Sequence, residues 1–155
     1  MARSPASDSR GGGWVVLQFA LMAVAAAGWL LPGRPGSSPL RAIGIALSVL
    51  GLLLFSWAYR ALGRSFTPFP VPRADGQLVN SGPFRIVRHP TYGGGLLVFA
   101  GISLSLGLLG LVGTAALALV WWRKSELEEH VLTARFPAYA DYRRRVRRRF
   151  LPWLL

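Results

Sequence analysis

The feature that most constrains this chain is the separation of its charges from its apolar residues. Residues 14–31, 42–59 and 93–122 contain no Asp, Glu, Lys or Arg. An α-helix rises about 1.5 Å per residue, so roughly 20 apolar residues cross the ~30 Å hydrocarbon core of a bilayer. The first two stretches therefore each fit one crossing. The pattern predicts an all-α integral membrane protein rather than a water-soluble domain.

The third stretch is too long for one crossing, because 30 residues would form a helix about 45 Å long. Five arginines lie in residues 60–92 before it, and nine basic residues lie in 123–155 after it. Basic segments stay in the cytoplasm, so an even number of crossings must separate these two segments. We therefore predict a helical hairpin over 93–122 that turns near residues 107–110.

These stretches predict a single membrane domain over residues 1–155 with four transmembrane helices. Residues 1–13, the 60–92 loop and the 123–155 tail are then cytoplasmic. A secretory signal peptide is the alternative for the first stretch, because Arg3 and Arg10 precede it. The apolar run continues beyond any cleavage point, so we predict a retained helix.

The composition argues against several functional classes. The net charge of +12 fits a nucleic-acid binder, but the charges lie between the apolar stretches, so no nucleic-acid partner is predicted. The chain has no Cys and two His, which argues against thiolate and multi-histidine metal sites, and no metal is predicted. It also lacks a GxGxxG motif after a strand and a GxxxxGK[ST] motif.

A first candidate for chemistry lies at the start of the predicted hairpin, where residues 82–94 read GPFRIVRHPTYGG. The segment places His89, Tyr92 and two arginines at the membrane boundary. Pro90 fixes the backbone that enters the next helix and so restricts the position of His89. The alternative is that the arginines are topology signals and that Tyr92 is an interfacial anchor.

A second candidate follows the hairpin, where residues 126–129 read ELEE and contain three of the six acids of the chain. A carboxylate such as Glu128 can accept several hydrogen bonds from hydroxyl or ammonium groups of a ligand. The alternative is a solvated helical face with a local ion pair between Lys124 and Glu128, which are four residues apart.

A third candidate is the tail, where residues 143–153 read RRRVRRRFLPW. Six arginines beside aromatic residues predict a segment that lies on an anionic lipid surface. A role in attracting acidic or lipid substrates is the alternative.

Together these segments resemble the isoprenylcysteine carboxyl methyltransferase family and its relatives, the membrane phospholipid methyltransferases. The family pattern is a Gly-Pro-aromatic entry, an Arg-His-Pro-x-Tyr-x-Gly motif, a helical hairpin and then Glu-Glu-x-x-Leu. In this chain the three motifs are residues 82–84, 88–94 and 128–132. The resemblance covers roughly residues 64–153.

The resemblance implies S-adenosyl-L-methionine as methyl donor, bound at the cytoplasmic face between the 60–92 loop and the helix after the hairpin. It also places Lys124 where the family has a substrate-orienting arginine, and lysine keeps the charge of arginine but not its planar fork. By position, the implied cofactor-binding residues are Gly76, Gln77, Leu78, Val79, Phe84, His89, Pro90, Thr91, Tyr92 and Glu128.

The function that follows is a membrane-embedded, S-adenosylmethionine-dependent methyltransferase that acts on a lipophilic or amphiphilic acceptor, a carboxylate or an amine. Its partner is then a membrane lipid or a lipophilic small molecule. Two alternatives stay open: an NADPH-dependent membrane reductase related to sterol reductases, and a non-catalytic basic membrane scaffold. The Arg-, Ala- and Gly-rich composition favours a bacterium and hence a bacterial inner membrane. The basic loop and tail, with the resemblance, imply an active site that faces the cytoplasm. The hypothesis requires His89 and the two acids at 128–129 to converge on one pocket.

Overall fold

A computed structural model describes residues 11–30 and 37–152 of the chain. Every secondary-structure element assigned within these ranges is a helix, as the sequence predicts. Three parts of the sequence predictions lie outside the described residues: Arg3 and Arg10 of the signal-peptide alternative, Leu31 at the end of the first apolar stretch, and Trp153 of the tail.

The described ranges contain five α-helices and two short 3₁₀ helices. The 3₁₀ helices Gly63–Ser65 and Gly82–Arg85 flank an irregular loop. This loop is irregular because the prolines in 68–72 each disfavour helix in the preceding residue. The α-helices are α1 (Gly12–Leu30), α2 (Ser38–Leu62), α3 (Pro90–Leu106), α4 (Gly110–Arg135) and α5 (Tyr139–Arg145).

The long apolar stretch 93–122 is divided between two helices. α3 ends at Leu106 and α4 begins at Gly110, so the chain turns within the predicted 107–110 range. α4 then continues past Trp122 to Arg135, which puts the acidic 126–129 segment on the same helix as the second arm of the hairpin.

Two helical segments, Gly12–Leu30 and Ser38–Ser65, are long and apolar enough to cross a bilayer by length and composition. Leu50, Leu52 and Leu53 on α2 are about 60% exposed, and a lipid environment would cover such a face. These apolar helices fit a membrane protein. The arrangement of four crossings with a cytoplasmic loop and tail stays a prediction.

Close backbone contact between α2 and α3 depends on glycines. A Cβ atom added to Gly94 would lie 2.7 Å from the Phe55 nitrogen and 2.8 Å from the Gly51 oxygen. Small residues permit this approach, as they do between packed membrane helices. α1 packs instead on α4, where Gly113 meets Ala25. The resulting order α2, α3, α4, α1 brings the start of α3 and the second half of α4 to one end of the bundle.

We expect Gly94→Ala to destabilise the protein by about 1–3 kcal/mol, because the added methyl group overpacks the contact with α2. Thermal unfolding in detergent micelles measures the effect. Gly13→Ala is the matched control, since nothing lies within 4 Å of a Cβ atom at Gly13. Equal melting temperatures for Gly94→Ala and the parent would contradict the close packing of α2 on α3.

Candidate active site

The site is organised around the buried carboxylate of Glu129 on α4, whose side chain is 3% exposed. The Arg88 Nε atom donates to Glu129 Oε1 over 2.8 Å, and His89 Nε2 lies 3.2 Å from the same oxygen. Arg149 Nε and Arg143 Nε each lie 3.5 Å from a carboxylate oxygen of Glu129. Four cationic side chains from before α3 and from the tail thus surround one carboxylate.

The imidazole of His89 lies between the two acids. Its Nδ1 atom is 3.3 Å from Glu128 Oε2, and its Nε2 atom is 3.2 Å from Glu129 Oε1. Both acids converge on this ring, as the hypothesis from the sequence requires. Because both ring nitrogens face acceptors, the geometry favours the doubly protonated imidazolium.

The protonation equilibria follow from this arrangement. Burial alone would lower the pKa of His89, but hydrogen bonds and charges from Glu128 and Glu129 outweigh burial and raise it above 6.5. Burial opposes ionisation of Glu129, yet hydrogen bonds from His89 and Arg88 lower its pKa to about 2. At neutral pH Glu129 is therefore ionised, and the cationic side chains around it compensate its charge.

Glu128 faces the cavity and is held by a second contact besides His89. The Tyr92 hydroxyl donates to Glu128 Oε1 over 2.5 Å. The Tyr92 ring stacks with the rings of His89 and Trp121, at centroid distances of 5.6 and 5.2 Å. Each carboxylate oxygen of Glu128 thus has one protein contact and retains further capacity to accept a hydrogen bond from a ligand.

The tail forms part of this site. The backbone nitrogens of Arg88 and His89 donate to the carbonyl oxygens of Arg148 and Arg149, at 2.9 and 2.7 Å. A Cβ atom at Gly93 would overlap the carbonyl oxygen of Phe150, so only glycine permits this approach.

The predicted position of the tail aromatic residue on a lipid surface is wrong for Phe150. Its side chain is 7% exposed and packs edge-on against His89, Tyr92 and Trp122. Arg149, at 11% exposure, also leaves the surface to lie over the Trp122 ring. The run of arginines around it remains exposed, as at Arg144. The sequence could not distinguish Arg149 from the exposed arginines, because the local sequence does not show whether an arginine pairs with a buried acid or faces lipid.

A cavity of about 570 Å³, within the ~300–1,000 Å³ range of small-molecule sites, opens beside His89 and Glu128, whereas Glu129 contacts the His89 ring but is not among the lining residues. All but one of the residues that the resemblance singles out line it, and the exception, Pro90, is buried at the start of α3. The structure thus brings together residues from the loop, α3 and α4. The lining members of that set are Gly76, Gln77, Leu78, Val79, Phe84, His89, Thr91, Tyr92, Lys124 and Glu128.

Comparison with known proteins identifies the family of this architecture. A family model described as phospholipid methyltransferase matches residues 40–138, which is more than half of the chain. The chain belongs to the phospholipid methyltransferase family. This match confirms the resemblance that the sequence motifs indicate, and it covers α2, the loop and the hairpin with the acidic segment.

Of three individual relatives, one is named as a methyltransferase and two as metal-resistance proteins. The chain is 34% identical over 110 residues to Protein-S-isoprenylcysteine O-methyltransferase B of Arabidopsis thaliana, covering 66% of this chain and 55% of that protein. It is 33% identical over 102 residues to the cobalt-zinc-cadmium resistance protein CzcN of Cupriavidus metallidurans, covering 64% and 46%. It is 30% identical over 106 residues to the nickel-cobalt-cadmium resistance protein NccN of Alcaligenes xylosoxydans xylosoxydans, covering 66% and 49%. The chain spans about half the length of these relatives.

Lys124 lies in the cavity wall, and its contacts differ from those that its local sequence indicates. Its Nζ atom donates to Gln18 Oε1 over 2.7 Å and to the Pro68 carbonyl oxygen over 2.6 Å. Within the described ranges it forms no ion pair, so the alternative of a local ion pair with Glu128 is wrong. The reason is that Glu128 turns toward His89 and Tyr92, while Lys124 turns toward α1.

Gln18 is a site residue that the sequence argument did not identify, and it lies outside the 40–138 match to the phospholipid methyltransferase family. It is 8% exposed and lines the cavity. Its position in the sequence could have identified it, because Gln18 has the one amide or charged side chain in the apolar 14–31 stretch. A polar residue in a stretch that is apolar enough to cross a membrane is a candidate for a functional site.

We expect the stability of the protein to depend on His89 in a defined pH window. Because the folded-state pKa of His89 is raised, its contribution is complete below pH 6.5 and is lost as the pH rises through the folded value. The contribution of Glu129 has the opposite sign: it is present above pH 4.5 and is lost as the pH falls toward about 2. Melting temperatures measured against pH should therefore decline above pH 6.5 more steeply for the parent than for His89→Gln. Parallel curves for the two proteins above pH 6.5 would rule out the charged-imidazole assignment.

Proposed function

We propose that this chain is a membrane-embedded methyltransferase that uses S-adenosyl-L-methionine and acts on a lipophilic or amphiphilic acceptor. The observation that carries the proposal is the convergence of His89 and Glu128 at the wall of one cavity. Membership of the phospholipid methyltransferase family and similarity to an isoprenylcysteine O-methyltransferase support the same reaction class.

The residues present fit the proposed cofactor. Glu128 offers carboxylate oxygens for its hydroxyl or ammonium groups, and Phe84 offers an apolar ring in the same wall. The backbone of residues 76–79 provides further polar groups along the loop side. When bound, S-adenosylmethionine supplies an electrophilic methyl group on a sulfonium.

The proposed role of the residues around His89 is to orient the ligand rather than to transfer a proton. The imidazolium and the Tyr92 hydroxyl fix the direction of the Glu128 carboxylate before a ligand arrives. Phe150 and Trp121 close the site behind these groups and keep water away from them.

The acceptor subsite is the apolar part of the cavity. Its wall includes Phe19 and Met22 of α1, Leu52 and Phe55 of α2, and Phe99 of α3. α1 packs on α4 and α2 packs on α3, so this wall lies between two helices that form no extensive contact in the described ranges. A lipid or lipophilic small molecule fits such a wall, and its carboxylate or amine would approach Lys124.

The proposed location is a bacterial inner membrane with four crossings and the site facing the cytoplasm. The basic loop and tail support this orientation, because basic segments stay in the cytoplasm. The exposed arginines of the tail, such as Arg144, would contact anionic lipid headgroups at about 1 kcal/mol each near the surface.

Binding of S-adenosylmethionine by the purified protein, measured by isothermal calorimetry, tests the proposal. We expect Glu128→Gln to weaken that binding about 10- to 100-fold, because a hydrogen bond to a charged group contributes about 1.5–3 kcal/mol. Asp75→Asn is the control, since Asp75 lies exposed beside Arg73.

The same titration with NADPH separates the reductase alternative. Tight NADPH binding without S-adenosylmethionine binding would reject the methyltransferase. A scaffold would bind neither cofactor and would depend on the exposed arginines of the tail instead.

A further inference from the structure

Lys124 is the only lysine of the chain, and the other 17 basic residues are arginines. The single position that uses lysine is 1% exposed and lines the cavity. The two residue types differ in one relevant respect, because a buried lysine can lose its charge near neutral pH whereas arginine stays protonated. The lysine at this position therefore gives the cavity wall a group that can gain and lose a proton.

Two neutral oxygens hold the Lys124 amine. Gln18 Oε1 and the Pro68 carbonyl oxygen each accept a hydrogen bond from Nζ, at 2.7 and 2.6 Å. Trp121 Nε1 also donates to Gln18 Oε1, at 3.3 Å, which fixes the orientation of the amide. Two of the tetrahedral positions around Nζ are thus taken. No described hydrogen-bond partner takes the remaining position, which holds a proton in the ammonium and a lone pair in the amine.

The surroundings favour the neutral form. Neither α1 nor residues 66–72 contain a charged side chain, and α3 presents the ring of Tyr92, 5.5 Å from Nζ. Burial lowers the pKa of the Lys124 amine below 10.5, and the charge of Glu128 on α4 offsets part of this effect. The other cations of the cavity wall, Arg88 and His89, are already paired with carboxylates.

We propose that Lys124 is the catalytic base of this transferase and that Gln18 is the residue that positions it. The inference rests on the proposed function and narrows its acceptor to a nucleophile that carries a proton, an amine or a phenol rather than a carboxylate. As the acceptor's lone pair forms a bond to the methyl carbon, the carbon–sulfur bond breaks with its electron pair left on sulfur. The acceptor's N–H or O–H proton moves to Lys124 Nζ and from there to water.

Because the chain has one lysine, a ¹³Cε-lysine label reports on Lys124 alone. We expect its resonance in detergent micelles to titrate below the ordinary lysine value, because burial lowers the pKa of the Lys124 amine. Arg123→Lys places an exposed lysine at the neighbouring position, and its resonance gives a reference with an ordinary lysine pKa of about 10.4. A midpoint for Lys124 clearly below that of the exposed reference lysine supports the proposal, and a midpoint equal to it or above it overturns the proposal.

Replacing Lys124 by arginine distinguishes a catalytic base from a side chain that acts only through its positive charge. We expect Lys124→Arg to keep its affinity for S-adenosylmethionine and to lose at least about 100-fold in methyl transfer to a lipid extract of the host membrane. Transfer within threefold of the parent, or about half a unit on a log scale, would show that a cation suffices. Loss of cofactor binding by the parent itself would instead refute the proposed function.

The chemistry of the labelled product gives a second decision. Methyl esters release their label as methanol in mild alkali, whereas methylated amines and phenols keep it. Label that resists alkali supports the proposal, and label that is released identifies a carboxylate acceptor and overturns it.

Two substitutions of Gln18 test its positioning role. Gln18→Leu removes an acceptor from the ammonium and should move the acid limb of the pH–rate profile to lower pH. Gln18→Glu adds a negative charge and should move that limb to higher pH. A purely structural Gln18 would leave the limb in place in both variants, and shifts in the same direction would also contradict the proposal.

Discussion

The structure depends on the enclosure of one carboxylate, that of Glu129. A buried charge without compensation is strongly destabilising, so its environment must supply cations and hydrogen bonds. Arg88 and His89 supply them from before α3, and Arg149 supplies one from the tail. Segments separated by 41 and 20 residues are thus joined at one point, and the loop, the hairpin and the tail cannot move independently of it.

This enclosure also determines the chemistry of the neighbouring acid. Against the effect of burial, hydrogen bonds to Glu128 and Glu129 both raise the pKa of His89, and the ring that contacts Glu129 on one side holds Glu128 on the other. The two adjacent acids therefore differ in their surroundings: Glu129 is enclosed by internal ion pairs, and Glu128 lines the cavity. Their separation follows from helix geometry, since successive residues point about 100° apart around α4.

The sequence predicted the helical hairpin and the meeting of His89 with the two acids, because a hairpin returns the end of its second helix to the start of its first. It did not predict the docking of Phe150 or the contact of Lys124 with α1. Both depend on tertiary contacts that local pattern cannot express: an aromatic residue beside arginines fits a lipid surface and a buried site equally well. Lys124 and Glu128 have the spacing of a helical ion pair, but each finds a better partner off the helix.

The contribution of α1 explains why family motifs describe only part of this site. The family match begins at residue 40, so it includes the His89 and Glu128 side of the cavity but not Gln18. A polar side chain in an apolar membrane helix carries a desolvation cost unless it is hydrogen-bonded. Gln18 meets that cost by accepting from both Lys124 and Trp121. The His89 and Glu128 side of the cavity therefore follows from motifs shared with the family, whereas the contact of Gln18 with Lys124 follows only from the packing of α1 on α4.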